Sequence, residues 1–419
     1  MKQKIMKQKI LKNKSLFIQI TTIIIALCLS FFYMKDHRMS DNWMGPYLSA
    51  AHNLSWAGTF KISIEEVNDF KDLSIVEQDS YDFKAENNLV HYNHNPIGYA
   101  YIIKIATIMF PFLGDQAAII ILQCLIYLLI NIIFLSLKEF DSKQKWLFFI
   151  IFSINPILLR FVPFNFYYFW QLIPFVIFGY LMLSKTPNKK IVVPLIILLP
   201  LVILTRPNLV FSLLFVFHAL YKKFNYKFLI ISSIYFIGLI MFLYQPTKKN
   251  IWHTVYAGIG AYENEYGIKL SDKDAYDLYE KETGEKLNAS VGGNYYEEII
   301  IDKYSEITKK ESLVIIKNKP LMLIKNAILN TLQGYSIGYI NKGGDMLNYI
   351  IALSGVLYFI YLVYFKKYIW VLMIGLSVGN FTLFYPPIQS YMYGSYLLII
   401  TCFVSTLSKK TYNNISIDQ

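Results

Sequence analysis

Three arginines stand among 37 lysines, and each falls at the end of an apolar run: Arg38, Arg160 and Arg206. A guanidinium offers a planar fork of donors that matches phosphate oxygens, whereas lysine acts as a hydrated point charge. Gathering the arginines at one face is what a phosphate-bearing, lipid-linked substrate would need. The plainer alternative is an arginine that snorkels its charge to lipid headgroups. Of the three, Arg206 in Leu204-Thr205-Arg206-Pro207 has the stronger case for phosphate. Two carboxylates, Asp36 and Asp41, follow the first apolar run in Lys35-Asp36-His37-Arg38-Met39-Ser40-Asp41-Asn42-Trp43 and are of the type that takes a proton from an attacking hydroxyl or amine. Either carboxylate can equally be a solvated helix end, and Asp36 can orient Arg38. His91 and His94 are three apart, a spacing that supplies two ligands to a divalent metal on one helical turn, or simply two interfacial side chains. Gly258-Ile259-Gly260 lacks the preceding strand and third glycine of a nucleotide loop. No Ser/His/Asp set and no cysteine pair with metal spacing occurs.

These groups need a membrane scaffold. Of 419 residues 55% are hydrophobic and 16% charged, too apolar a mixture for a soluble surface. Runs of about 20 apolar residues, enough to cross ~30 Å of hydrocarbon, recur with short Lys-rich breaks. The pattern predicts an all-α integral membrane fold of about ten transmembrane helices. They are placed at 15–34, 115–137, 146–162, 166–184, 190–205, 207–221, 227–245, 347–365, 368–385 and 390–408. The first is read as an uncleaved helix, since no small-x-small cleavage site follows it. With a cytoplasmic N-terminus, the clusters Lys138/Lys143/Lys145, Lys185/Lys189/Lys190, Lys222/Lys223/Lys227, Lys366/Lys367 and Lys409/Lys410 all fall inside, as the positive-inside rule requires.

The resulting map has a basic cytoplasmic N-terminus over 1–14 and helices one to seven within 15–245, with a first outer segment at 35–114. An extracytoplasmic helical lobe follows over 246–346, then helices eight to ten within 347–408 and a cytoplasmic tail over 409–419. The stretch from Pro96 to Phe112 contains Lys104 and is expected to lie on the outer leaflet as an interfacial helix, since counting it as a span would invert every later lysine cluster. The net charge of +12 is explained by these loops and by anionic membrane lipid, with no nucleic acid. Cys28, Cys124 and Cys402 lie inside apolar runs and imply no disulfide framework. No charged residue sits at the middle of an expected span, which argues against an ion-coupled path and for chemistry at the outer boundary.

After Asp41 come Tyr47, Ala51, Leu54 and Gly58, and then Asn95-Pro96-Ile97-Gly98-Tyr99 opens the helix leading to Gly114-Asp115. Together these resemble the GT-C class of polyprenyl-phosphate-sugar-dependent membrane glycosyltransferases, the group that includes protein O-mannosyltransferases and the aminoarabinose transferase of lipid A. The resemblance covers the first 140 residues most clearly. Leu204-Thr205-Arg206-Pro207 looks like the family's basic residue at an outer helix end, and Trp252 to Gly260 with Asn318-Lys319-Pro320 is similar to the outer loop of bacterial members. Two departures stand out: Gln389-Ser390-Tyr391 replaces an Arg-Tyr pair near the last helix, and Asp41-Asn42 replaces an acidic pair.

The resemblance implies an inverting transferase at the outer face of a prokaryotic plasma membrane. Its donor would be a polyprenyl-phosphate-linked sugar and its acceptor a glycan, lipid or protein. Asp41 is then favoured over Asp36 as the base, and Arg206, Arg38, Arg160, Tyr47, Tyr99 and His253 are candidate substrate contacts, with a structural role for His253 equally open. A lipid-linked glycan transporter or flippase would show repeat symmetry and mid-membrane polar groups. A glycan polymerase or ligase would place arginine in a large late outer loop, and residues 246–346 contain none.

Overall fold

The computed structural model describes residues 2–37, 44–54, 60–84, 88–92, 94–247 and 250–407. Among them the strand content is one antiparallel pairing, Lys61–Ile62 against Val90–His91, with Lys61 opposite His91. Everything else regular is helix. Four described helices are long and apolar enough to cross a membrane: Lys14–Met34, Asp115–Leu135, Tyr226–Leu243 and Gly344–Tyr364. Their outward faces carry large apolar side chains such as Phe17, Leu29, Ile231, Ile234 and Met241, a belt that suits lipid and not water. Helix Pro320–Gln333 is inside-out by aqueous standards, burying Asn326, Asn330 and Gln333 while Leu321, Ile324 and Ile328 are exposed. This is an all-α membrane protein.

The other expected spans are helical but broken or short, and prolines account for most of the breaks. The expected span at 146–162 divides into helix Ser142–Phe148, a π-turn Phe149–Ser153 and helix Pro156–Leu159. Pro156 lacks an N–H, and Asn155 caps the new start by accepting from the Ile157 N–H at 3.0 Å. Helix Lys189–Thr205 ends against Arg206-Pro207, and a 3-10 turn Pro207–Phe211 follows before helix Ser212–Lys223. Two more 3-10 turns, Tyr167–Gln171 and Gln389–Tyr391, precede helices Leu172–Leu183 and Tyr393–Thr406. Irregular backbone at membrane depth is tolerated only where protein or a cavity covers it. These breaks surround the cavities described below.

The lysine-rich loops at 138–145, 185–190 and 222–227 gather at one end of the bundle, while Lys409 and Lys410 lie outside the described residues. Lys223 Nζ donates to Ser184 O at 2.9 Å, the Lys185 N–H donates to Glu139 Oε1 at 2.6 Å, and Gln144 Nε2 donates to Val404 O at 2.8 Å. Helix Lys189–Thr205 runs from that end to Arg206 at the other.

The stretch expected to form an interfacial helix on the outer leaflet is helical and packs against the bundle. Helix Gly98–Met109 buries every residue from Gly98 to Ile103, together with Ala106, against helices Met44–Asn53, Asp115–Leu135 and Lys189–Thr205. Gly98 makes this possible: a Cβ there would stand 2.3 Å from Leu201 O and from Thr205 N. Backbone therefore meets backbone, and the element is held tightly against helix Lys189–Thr205.

Polar side chains do occur within the bundle, and they tie the breaks together. On helix Asp115–Leu135, Gln123 Nε2 donates to Val162 O at 2.8 Å and Phe164 O at 2.9 Å, while its Oε1 accepts from Trp170 Nε1 at 3.0 Å. Gln123→Leu leaves these buried groups unmade, at about 1–3 kcal/mol each. Thermal unfolding in detergent should show a loss of at least about 2 kcal/mol; an unchanged melting point would mean that Gln123 does not brace the 162–170 segment.

Candidate functional site

Arg206 precedes Pro207, whose ring drives the preceding residue off helical geometry, and it sits at φ −141°, ψ 85°. It lines a cavity of ≈ 640 Å³ with Thr205, Pro207, Tyr244, Tyr385 and Tyr391. Only 8% exposed, its guanidinium carbon lies 4.2 Å from the centroid of the Tyr391 ring, and its Nε donates to Asn208 Oδ1 at 3.0 Å. Among the described residues Nη1 has no hydrogen-bond partner and no carboxylate pairs with the group. An uncompensated buried cation is costly, and an anionic ligand offering two oxygens to the free edge would relieve that cost. The cavity wall includes Val210 and Tyr244, which are exposed on the apolar outside of the bundle, so an acyl or prenyl chain attached to such an anion has a way out.

Arg160, at the end of the broken helix, lines a neighbouring cavity of ≈ 450 Å³ and donates from Nη2 to Gln389 Oε1 at 2.6 Å. The Gln389–Tyr391 turn is thus held from two sides, by Arg160 at Gln389 and by Arg206 over Tyr391. Gln171 Nε2 fixes the middle of it, donating to Ser390 O at 2.9 Å. Both arginines that reach this turn come from other helix ends.

A third chamber of ≈ 440 Å³ opens towards helices Ile251–Ile259, Asp272–Thr283 and Glu298–Asn318, whose own core contains Tyr256, Ala275, Tyr279, Tyr304 and Ile315. It shares Pro96, Tyr167, Thr254, Tyr385 and Tyr391 with the Arg206 cavity, so the two adjoin. His253 stands on its wall with Nε2 3.0 Å from Asp272 Oδ1 and Nδ1 bonded to Tyr304 Oη. Asp272 opens helix Asp272–Thr283, where the helix dipole favours a negative charge. The His253 bond holds its carboxyl below the usual aspartate range. The group is therefore ionised at neutral pH, and what the pair adds to stability is present above that range and lost on acidification. The Asp272 side chain is 61% exposed and lines the chamber. The charges of Arg206 and Asp272 both reach Tyr168 and Tyr391.

Two glycines set how close the lobe comes. A Cβ on Gly258 would lie 1.7 Å from Phe384 O, and one on Gly260 2.2 Å from the Lys269 carbonyl carbon. Gly258-Ile259-Gly260 is a close-packing device, with no phosphate loop about it.

The remaining expected residues divide. Tyr47 lines the lobe-side chamber, and Tyr99 lies behind it, edge-on at 5.1 Å between centroids and itself fully buried. His94 lines the chamber with its ring 4.6 Å from that of Tyr296. His91 does not share a helical turn with His94: it lies exposed on strand Val90–His91. Among the described residues no group of three His, Cys, Asp or Glu is placed to hold a metal. Arg38 and Asp41 lie outside the described residues, as does the side chain of Asp36, whose backbone forms the turn Lys35–His37.

Asp272 and the tyrosines 167, 168 and 385 were not singled out by sequence, and Asn95 and Tyr391 entered only as members of motifs. The aromatic run Phe164 to Trp170 after Pro163 was a usable signal, since it crowds six rings at one helix start. Asp272 carried none, being one of several lobe carboxylates until His253 selects it. The chain matches no protein-family model, no curated protein and no solved structure.

Proposed function

We propose that the protein is an inverting GT-C-type glycosyltransferase that moves a sugar from a polyprenyl-phosphate donor to an acceptor at the outer face of a prokaryotic plasma membrane. The observation that carries this reading is Arg206: a nearly buried guanidinium with an unpartnered edge, in a cavity that reaches both the apolar exterior and a polar, aromatic chamber. A lipid-linked phosphate fits that sequence of environments, with the prenyl chain outside, the phosphate at Arg206 and the sugar beyond Tyr391. In the reaction the acceptor oxygen bonds to the anomeric carbon from the face opposite the phosphate. The carbon–oxygen bond to phosphate breaks, its electron pair stays on the phosphate oxygen, and Arg206 stabilises the added charge. The acceptor proton passes to a carboxylate. By resemblance that base is Asp41, with Asp36 as its competitor and Arg38 a further phosphate contact.

The test is release of radiolabelled sugar from polyprenyl-phosphate donors by purified protein in lipid, with native membrane extract supplying acceptors. Wild type should release sugar, and Asp41→Asn should cut the rate by about 10²–10⁴-fold, with Asp36→Asn affecting it less. If no donor is bound or consumed, the transferase reading is lost and transport of lipid-linked glycans takes its place. The same reading puts both termini and the lysine-rich loops in the cytoplasm. Single cysteines at Lys143 and Lys222 should resist a membrane-impermeant thiol reagent in intact cells, while one at Lys281 reacts; the opposite pattern would invert the topology.

A further inference from the structure

From Ser312 to Gly344 the chain carries four lysines, Lys317, Lys319, Lys325 and Lys342, and no carboxylate. They stand towards the lobe, away from the lysine-rich loops at the other end, so the rule that orients helices by their basic loops gives no account of them. Within this stretch helix Pro320–Gln333 turns polar side chains inward: Asn330 Nδ2 donates to Thr382 O at 3.1 Å and Gln333 Nε2 to Asn348 O at 2.9 Å. Its opposite face shows Leu321, Ile324 and Ile328, each more than half exposed. The helix does not stay at the surface. A Cβ on Gly355 would lie 1.9 Å from Leu332 O, and Gly355 is near the middle of the membrane-crossing helix Gly344–Tyr364, about 16 Å from its start at the α-helical rise. One turn further on, Tyr335 Oη donates at 2.9 Å to the carbonyl of Val371, which is in the first turn of helix Tyr368–Thr382, whereas Asn330 meets the last residue of that helix.

The chain then returns through non-helical backbone that is paired inside the protein. The Tyr339 N–H donates to Pro387 O at 2.8 Å, the Ile340 N–H to Asn348 Oδ1 at 3.0 Å, and Ile337 O accepts from Tyr396 Oη at 2.7 Å. Irregular backbone needs such cover at membrane depth. We propose that Pro320–Gln333 is a re-entrant helix sunk about halfway into the membrane from the lobe side, and that Lys310, Lys317, Lys325 and Lys342 at its entry hold the phosphates of anionic phospholipids. The occupant of the apolar face is lipid because that face continues an existing one: on helix Gly344–Tyr364, against which it packs, Met346, Ile350, Leu353 and Leu357 are exposed as well. The stripe extends back along helix Glu298–Asn318, where Lys310, Leu313, Val314 and Lys317 are exposed at the i, i+3, i+4, i+7 spacing of one helix face. The headgroup charge follows from the lysines. Lys319 pairs with Glu265 at 2.9 Å, but Lys310, Lys317 and Lys342 are exposed and in no ion pair among the described residues. Lys325 Nζ donates to the Tyr349 hydroxyl at 3.0 Å, which draws its charge to the helix edge while its stem stays with Ile324 and Ile328. Neither part depends on what the protein transfers.

The test uses the full chain in nanodiscs of phosphatidylcholine and phosphatidylglycerol in equal parts, with the photoreactive residue p-benzoylphenylalanine placed singly at Leu321, Ile324, Ile328, Met241 or Lys281. After irradiation, mass spectrometry should find phospholipid adducts at Ile324 and Ile328 and none at Lys281, which is exposed on the lobe helix Asp272–Thr283. Met241, exposed on the membrane-crossing helix Tyr226–Leu243, supplies the reference ratio of the two lipids. At Leu321 phosphatidylglycerol should exceed that ratio by about fivefold, the preference one lysine confers at an anionic lipid surface. Combining Lys310→Gln, Lys317→Gln, Lys325→Gln and Lys342→Gln should return Leu321 to the reference ratio and leave Met241 unchanged. No lipid adducts at Ile324 and Ile328, or adducts to a second copy of the chain in their place, overturn the re-entrant helix. The Met241 ratio at Leu321 in wild type, or an enrichment that survives loss of the four lysines, overturns the phosphate site.

Discussion

Arg206→Ala should abolish binding of polyprenyl-phosphate donors and lower sugar transfer by about 10²–10³-fold, because truncating a buried charge-assisted contact removes about 2–5 kcal/mol of interaction. The expectation follows from what the guanidinium already has and what it lacks. Its contacts are Asn208 at 3.0 Å and the Tyr391 ring at 4.2 Å, and its buried Nη1 has no hydrogen-bond partner among the described residues. Arg206→Lys keeps the charge and loses the fork, so it should restore only part of the activity. The fold should bear the loss well: the cation–π contact is worth about 0.5–2 kcal/mol, and removing an unpaired buried cation offsets it. Donor binding measured beside the melting point separates the cases. Lost binding with an unchanged or higher melting point marks a ligand-holding arginine. Wild-type transfer by Arg206→Ala would sink the proposal.

The second large effect is steric. Gly258→Ala places a methyl group 1.7 Å from Phe384 O and 2.8 Å from its carbonyl carbon, so backbone has to move on one side or the other. Overpacking of this kind costs about 1–3 kcal/mol and sometimes more, and a backbone clash belongs at the upper end. Helix Ile251–Ile259 carries His253 and Thr254, so its displacement should open the chamber along with the lobe contact. We expect a lower melting temperature, faster proteolysis within 260–300, and slower sugar transfer. Gly238→Ala is the control, because nothing lies within 4 Å of a Cβ there and helical alanine is favoured over glycine by up to ~1 kcal/mol. Equal behaviour of the two variants would show that the lobe does not depend on the Gly258 approach.

Much of the scaffold was legible in sequence. Apolar run length marked the chain as all-helical, with four helices long enough to cross a membrane, and the alternation of lysine clusters predicted that the loops at 138–145, 185–190 and 222–227 share one end, as Lys223 at Ser184 and Lys185 at Glu139 bear out. Arg206 was picked by type and by the proline after it. The Pro96–Phe112 stretch was legible as a helix, but composition reports how apolar a helix is and not what it packs against. Gly98, a residue with no side chain, decided that packing.

The membrane class, the helices and the segregation of arginine follow from the sequence by itself, since chain-local properties such as hydropathy, proline breaks and side-chain charge determine them. The site's composition follows from tertiary structure alone. Arg160 and Arg206 meet on Gln389–Tyr391, and Asp272 finds His253 19 residues away, because separate broken helices pack so that their irregular ends face one another. Such proximity is a property of long-range packing, where a glycine that permits a 1.7 Å-forbidden approach matters more than any motif.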